Sequence, residues 1–366
     1  MKGLYIHIPF CIKKCEYCDF LSFSDSDKYF DVYTKALINE LKQYNGTEID
    51  TVFIGGGTPS VLPSELIERV CNGIKANFKL LSDTEWTMEI NPGTVTEDKI
   101  QAMFNGGINR VSVGVQSFND AELKAIGRIH DSKTAYDTIE MLYNAGFRNI
   151  SIDLMESLPY QTEKSFKNSL ETAIKLPITH ISVYSLIIEE DTPIKEKYDN
   201  GIYVFPDEDK DRDMYKYTGD FLEEYGFYRY EISNYAKSGY QSKHNLKYWN
   251  CDEYIGVGLG AHSYIDGVRS YNTSDIDEYI NGKTCKHKDV LSVSDKMGEF
   301  MMLGLRKTSG INRNEFYNRF GKYPDGIWGK TIDKFIAIGV MEKAGNCYRL
   351  TQRGLDVSNS VMCEFI

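Results

Sequence analysis

No apolar run in these 366 residues reaches the roughly 18 needed to cross a bilayer, which excludes an integral membrane protein. Positive charge is also scarce. There are 42 Lys and Arg against 53 Asp and Glu, a net charge of -11, which disfavours non-specific binding to nucleic acid. Residues 295–366 alone carry eleven basic against eight acidic residues, or +3, leaving -14 for the rest. That excess is too small for a DNA footprint. Nothing at the N-terminus reads as a secretory signal, so the expected setting is cytoplasmic, with reduced thiols and no disulfides. Peripheral contact with a membrane stays open. The apolar and charged fractions, 42% and 26%, are those of a soluble globular enzyme. The length allows two domains or three small units.

Of eight cysteines, three share a short spacing: Cys11, Cys15 and Cys18, as C-x3-C-x2-C after Tyr5-Ile6-His7-Ile8-Pro9-Phe10. Three thiolates on one loop can hold three corners of an iron–sulfur cube. No fourth ligand lies nearby, so the fourth iron would stay open to a small molecule, as in catalytic metal sites. The alternative is zinc with His7 as fourth ligand, although zinc sites usually show two cysteine pairs. Cys71, Cys251, Cys285, Cys347 and Cys363 share no close spacing and are expected to be buried structural thiols.

Up to about residue 190, β-branched runs alternate with helical patterns, the mark of βαβ units and a parallel sheet. Strands are predicted at 3–8, 50–54, 85–90, 110–115, 149–154 and 179–187. Phe166, Leu170, Ala173 and Ile174 form one apolar helix face after Thr162, a candidate N-cap; the helix 132–145 stops at Gly146. Each of the first five strands runs into something polar or glycine-rich. These ends are the cysteine loop, Gly55-Gly56-Gly57-Thr58-Pro59, Glu89-Ile90-Asn91-Pro92, Gly114-Val115-Gln116-Ser117 and Asp153-Leu154. In parallel barrels functional residues gather at the strands' C-terminal ends, so five in order predict one site at a barrel mouth. Singly, the glycines could be a tight turn and the two carboxylates could be helix caps.

The cysteine loop and the Gly-Gly-Thr-Pro segment resemble those of radical SAM proteins, over most of the chain. The resemblance implies a partial (β/α)6 TIM-type barrel, an α/β fold, with a [4Fe–4S] cluster on Cys11, Cys15 and Cys18. It also implies S-adenosylmethionine (SAM), with Gly56, Gly57 and Thr58 at its amino group. Similarity to the oxygen-independent coproporphyrinogen III oxidase group adds Tyr5, Tyr17, Glu89, Gln116, Arg128 and Asp153 as SAM contacts. Arg128 would pair the carboxylate and Asp153 a ribose hydroxyl. One loop departs from that group: relatives commonly read D-L-(M/I)-x-G-L-P-(G/K)-Q, where this chain has Asp153-Leu154-Met155-Glu156-Ser157-Leu158-Pro159-Tyr160-Gln161.

Between about 190 and 290 motifs replace periodicity: Tyr230-Glu231-Ile232-Ser233-Asn234-Tyr235-Ala236, His244-Asn245-Leu246-Lys247-Tyr248-Trp249, and Tyr254-Ile255-Gly256-Val257-Gly258-Leu259-Gly260-Ala261-His262-Ser263. Imidazole suits haem iron, and on a helix Tyr248 would share the face of His244. Taken alone, His244 reads as a hydrogen-bonded core or active-site histidine. H-N-x-x-Y-W, however, is the haem-associated motif of the haem-chaperone branch of this group, and His244, Asn245, Tyr248 and Trp249 complete it. In the coproporphyrinogen III dehydrogenases a fourth Cys follows the loop, where this chain has Phe20.

The tail reads as helices, a hairpin near Gly345-Asn346 and a last helix, a small winged-helix-like unit. The expected organisation is a radical SAM partial barrel (1–190), a middle region with the haem-associated motif (191–294) and the C-terminal unit (295–366). The resemblance implies a haem chaperone that passes haem to acceptors such as respiratory cytochromes. The rivals are a coproporphyrinogen III dehydrogenase using a 5′-deoxyadenosyl radical and a radical SAM enzyme on an unrelated substrate.

Overall fold

A computed structural model describes all 366 residues. Six strands, β1 (Lys2–Ile8), β2 (Thr47–Gly56), β3 (Phe78–Ile90), β4 (Arg110–Gln116), β5 (Asn149–Glu156) and β6 (His180–Ser185), pair in parallel in chain order, with helices between them. This is the partial (β/α)6 barrel. It does not close: β1 pairs on its far side with β9 (Tyr254–Val257), and β6 with β8 (Asn234–Ala236). Beyond β8 lies β7 (Tyr228–Glu231); beyond β9 lie β10 (His262–Ile265), β11 (Val268–Asn272) and β12 (Cys285–Val290). One twelve-stranded sheet thus takes the middle segment's strands on both of its edges.

Period two explains why the sheet curls as it does. In β1, Leu4, Ile6 and Ile8 are fully buried against the helices, while Gly3, Tyr5 and His7 face the other way. Their register partners are Thr51, Phe53 and Gly55. The next strands add Glu85, Thr87 and Glu89, then Arg110 and Ser112, then Ser151 and Asp153, then His180 and Ser182. The interior is therefore polar, unlike the packed apolar layers of closed eight-stranded barrels. Its apolar core lies outside the sheet, under the helices. Thr162 forms a capping box with Ser165 at the start of Glu163–Ala173, and Gly146, at φ 115°, follows the helix Ser132–Asn144.

From Val293 onward the chain has its own apolar core. The helix Val293–Gly304, β13 (Ile311–Asn312), helices Arg313–Phe320 and Asp325–Ala337, and the hairpin β14 (Met341–Ala344) and β15 (Cys347–Leu350) follow in winged-helix order. Of the five cysteines expected to be buried, only Cys71 is; Cys251 and Cys347 are half-buried, and Cys285 and Cys363 are exposed, Cys285 because β12 is an edge strand open on both faces.

Candidate cofactor site at the barrel mouth

The cysteine loop leaves β1 and returns across it. Cys11 N–H donates to the Phe23 carbonyl (2.9 Å) and Phe23 N–H to the Pro9 carbonyl (2.7 Å). His7 binds the loop's end: Nε2 meets the Leu21 carbonyl at 2.9 Å, and Nδ1 the Tyr5 hydroxyl at 3.0 Å. Both ring nitrogens are occupied, so His7 is a strut for the loop and not the fourth zinc ligand. Cys11, Cys15 and Cys18 are free and half-buried. Burial raises the Cys18 thiol, and the neighbouring Cys15 and Cys11 sulfurs push the same way. All three line one cavity, as thiolates holding separate corners of a cube would.

Gly57 lets the second loop approach the first: a Cβ there would stand 2.7 Å from the Phe10 carbonyl oxygen and 3.0 Å from Cys11 Sγ. Thr58 Oγ1 lies 3.5 Å from Cys11 Sγ. Gly56, at φ 115°, donates its N–H to Glu89 Oε2 at 3.1 Å. The cavity between the loops holds about 490 Å³ and is lined by the three cysteines, Tyr17, Gly56, Gly57 and Thr58. Glu89, Gln116, Arg128 and Asp153 line it as well. That size suits a small-molecule cofactor. Of the barrel residues expected there, only Tyr5 lies off the lining, its ring tilted towards that of His7.

Two carboxyls share the floor. Burial, with the nearby Asp153 charge, pushes Glu89 up to about 8. Burial also raises Asp153, against hydrogen bonds from Ser182 and Ser112 and the charge of Arg110. Such a carboxyl is poised to take a cation as partner. Arg128 supplies the opposite charge. Its Nη2 donates to Asn91 Oδ1 and to the Gly114 carbonyl (2.5 Å), its Nη1 lies 3.4 Å from Cys15 Sγ, and its buried Nε has no partner. A recess with an ammonium acceptor and an underused guanidinium fits an amino-acid end group. Asn91, Ser112 and Tyr184 also line the cavity. Asn91 stood in a strand-end motif; nothing local marked the other two.

The haem-associated set lies elsewhere. The helix Lys243–Trp249 plugs the opposite end of the barrel, capped by Glu85, which accepts from the Lys243 and His244 N–H groups at 3.1 Å each. His244 is buried at the level of Gly3, about 15 Å below the mouth at strand rise. Its Nδ1 meets Thr51 Oγ1 and its Nε2 the Tyr248 hydroxyl, each at 2.9 Å. Neither nitrogen is free for iron. A Cβ on Gly3 would sit 3.2 Å from His244 Cε1, so glycine is what admits the ring. Asn245 takes the Ser242 cap, and Trp249 buries an Nε1 with no partner.

Ser157, where relatives have glycine, sits at φ 59° and donates to Asp211. That bond offsets the roughly 1 kcal/mol a non-glycine residue incurs there. Glu156 is buried with one oxygen accepting from Ser185 and is pushed up to about 8, chiefly by burial. Phe20 is 64% exposed on the rim, packed on little. A strap through the helix Pro193–Asp199, with no sequence signal, holds the loop: Lys197 Nζ reaches both Glu16 oxygens at 2.6 Å.

Residues 5–173 match the model of the radical SAM superfamily, and residues 291–357 that of the HemN C-terminal domain. Along its full length the chain is similar to proteins named heme chaperone HemW. It is 37% identical to that of Lactococcus lactis (99% of this chain, 96% of the relative). It is 36% identical to those of Bacillus subtilis (100% and 99%) and Escherichia coli (100% and 98%). In fold it is similar to coproporphyrinogen III oxidase (HemN) of Escherichia coli. That match has a TM-score of 0.85 at 20% identity over 99% of this chain and 89% of that one.

Proposed function

The chain belongs to the HemW family of radical SAM proteins, and from that premise we propose that it binds haem and passes it to acceptor proteins, respiratory cytochromes among them. The observation that carries the reading is Phe20, exposed on the rim where dehydrogenases have a cysteine: its ring can neither ligate a metal nor change redox state. The complete His244-Asn245-Tyr248-Trp249 set supports it.

At the mouth, Cys11, Cys15 and Cys18 hold a [4Fe–4S] cluster, which supplies an open iron and an electron. Glu89 accepts from the SAM ammonium group and Arg128 pairs its carboxylate. Gly56, Gly57 and Thr58 keep that end of the cofactor close to the loop. Asp153 bonds a ribose hydroxyl, with Tyr17 and Gln116 along the wall and Tyr5 beneath. The His244 set acts on haem by orientation, through Tyr248, whose ring meets Tyr254 edge-on at 4.7 Å. We assign the barrel (1–190) to cluster and SAM, the middle region (191–294) to haem, and the C-terminal unit (295–366) to docking. The setting is the cytoplasm, with peripheral access to membrane-bound acceptors and no nucleic acid.

The test is an anaerobic assay with reductant, SAM and coproporphyrinogen III, run beside haem transfer to an apo-cytochrome. Transfer without sustained protoporphyrinogen formation is expected. Many turnovers of decarboxylation would overturn the chaperone reading.

A further inference from the structure

The chain has six histidines. Three have both ring nitrogens engaged: His7, His180 (Ser151 and Tyr230, 2.7 and 2.8 Å) and His244. His130 is buried, with Nε2 on the Val115 carbonyl at 3.1 Å and Nδ1 enclosed without a partner. Only His262 and His287 are exposed with unengaged rings. They are not scattered. His262 pairs across β10–β11 with Tyr271, and Tyr271 across β11–β12 with His287. The three rings form one row, His262 to Tyr271 at 5.2 Å and Tyr271 to His287 at 5.3 Å, near-parallel at 28° and 31°.

From this juxtaposition we propose that His262 is the iron ligand for haem, with the porphyrin lying across the His262–Tyr271–His287 row. The proposal rests on the haem-binding reading given above. Side chains stand roughly perpendicular to a sheet, so the ring tips of such a row point at a plane laid over it. An imidazole standing edge-on to a porphyrin is the axial-ligand arrangement. Partial burial and the Arg269 charge lower His262, which keeps the ring neutral at pH 7 and able to bind metal. His262 lies on an inner strand, whereas His287 is on the open edge.

The row is also tied to both motifs. Leu21, which follows Phe20 on the rim, has its Cδ2 within 2.5 Å of where a Gly260 Cβ would sit, two residues before His262. From below, Tyr248 meets Tyr254, which pairs with Tyr264 on the strand of His262. The His244 set therefore braces the ligand's strand without ligating.

The test is titration of ferric haem into the full-length protein and its His262→Ala, His287→Ala and His244→Ala variants, read by Soret position, EPR and affinity. His262→Ala is expected to shift the Soret band, change the EPR signature and weaken binding at least tenfold, with added imidazole restoring the spectrum. His287→Ala and His244→Ala, which remove a neighbour in the row and a brace of its strand, are expected to weaken binding while the EPR signature still reports histidine ligation. His262 is exposed, so its loss does not threaten folding. Unchanged spectrum and affinity in His262→Ala, with haem still bound, overturns His262 alone and leaves the haem reading standing. No stoichiometric haem on the wild type overturns both.

Discussion

Arg306 lays its guanidinium 4.3 Å from the centre of the Trp249 ring and approaches the fully buried Glu231 carboxylate at 3.6 Å. One side chain of the C-terminal unit thus touches both the haem-associated helix and the Tyr230–Ala236 motif. The backbone reinforces it: Ile232 N–H donates to the Arg306 carbonyl (3.1 Å) and Thr308 N–H to the Tyr230 carbonyl (3.1 Å). Arg306→Ala strands a buried carboxylate and removes a cation–π contact, with an expected loss of about 3 kcal/mol. Urea unfolding checks the size. A variant as stable as wild type would mean that Glu231 finds its counter-charge elsewhere.

Gly57 sets how tightly the two mouth loops can close. Gly57→Ala puts a methyl group against the Phe10 carbonyl and Cys11 Sγ, so the cysteine loop has to move. Anaerobic reconstitution of wild type should give about four iron and four sulfide per chain. Gly57→Ala should fall well below that while keeping its far-ultraviolet circular dichroism. Replacing Cys11, Cys15 and Cys18 by Ala should abolish the cluster. A full complement of iron in the triple variant would remove the basis for the mouth assignment.

With Glu89 holding the SAM ammonium group as proposed, SAM binding should depend on pH. Raised to about 8, it is largely protonated at pH 7, and an ammonium partner needs it ionised. Binding then releases a proton, and affinity climbs with pH, by at most tenfold per unit, until about pH 8. Calorimetry at pH 7 in buffers of different ionisation enthalpy should detect the proton, and Glu89→Gln should remove the climb. Flat affinity between pH 6 and 8.5 would show that Glu89 does not hold the amino group.

The opposite dependence governs stability without ligand. Unfolded Glu156 loses its proton near 4.5, while the folded group keeps it to about 8. The unfolded state then binds fewer protons, so this contribution is present below about 4.5 and lost as pH rises to 8. Glu156→Gln, which cannot ionise, should lose less stability than wild type between pH 5.5 and 8. Equal losses would place the buried charge elsewhere.

Much of the barrel was legible because its signals are local. The polar ends of the first five strands announced the mouth, and the cap at Thr162 and the stop at Gly146 are short-range chemistry. The two sheet extensions were not legible: β7 to β12 are short strands whose partners lie far away in sequence, as with Tyr254 beside Gly3. The helical face of His244 and Tyr248 was readable from spacing; its burial against Thr51 was not, since that depends on a glycine on another strand. Nothing local told that Phe20 stands in solvent. The motif named the haem-associated residues but not that both ring nitrogens of His244 are engaged.

The most direct measurement mixes haem-loaded protein with an apo-cytochrome in the presence of excess apomyoglobin as a scavenger of free haem. Haem should reach the cytochrome while apomyoglobin captures little, because transfer takes place within a complex. Capture by apomyoglobin, with the cytochrome left empty, would contradict it.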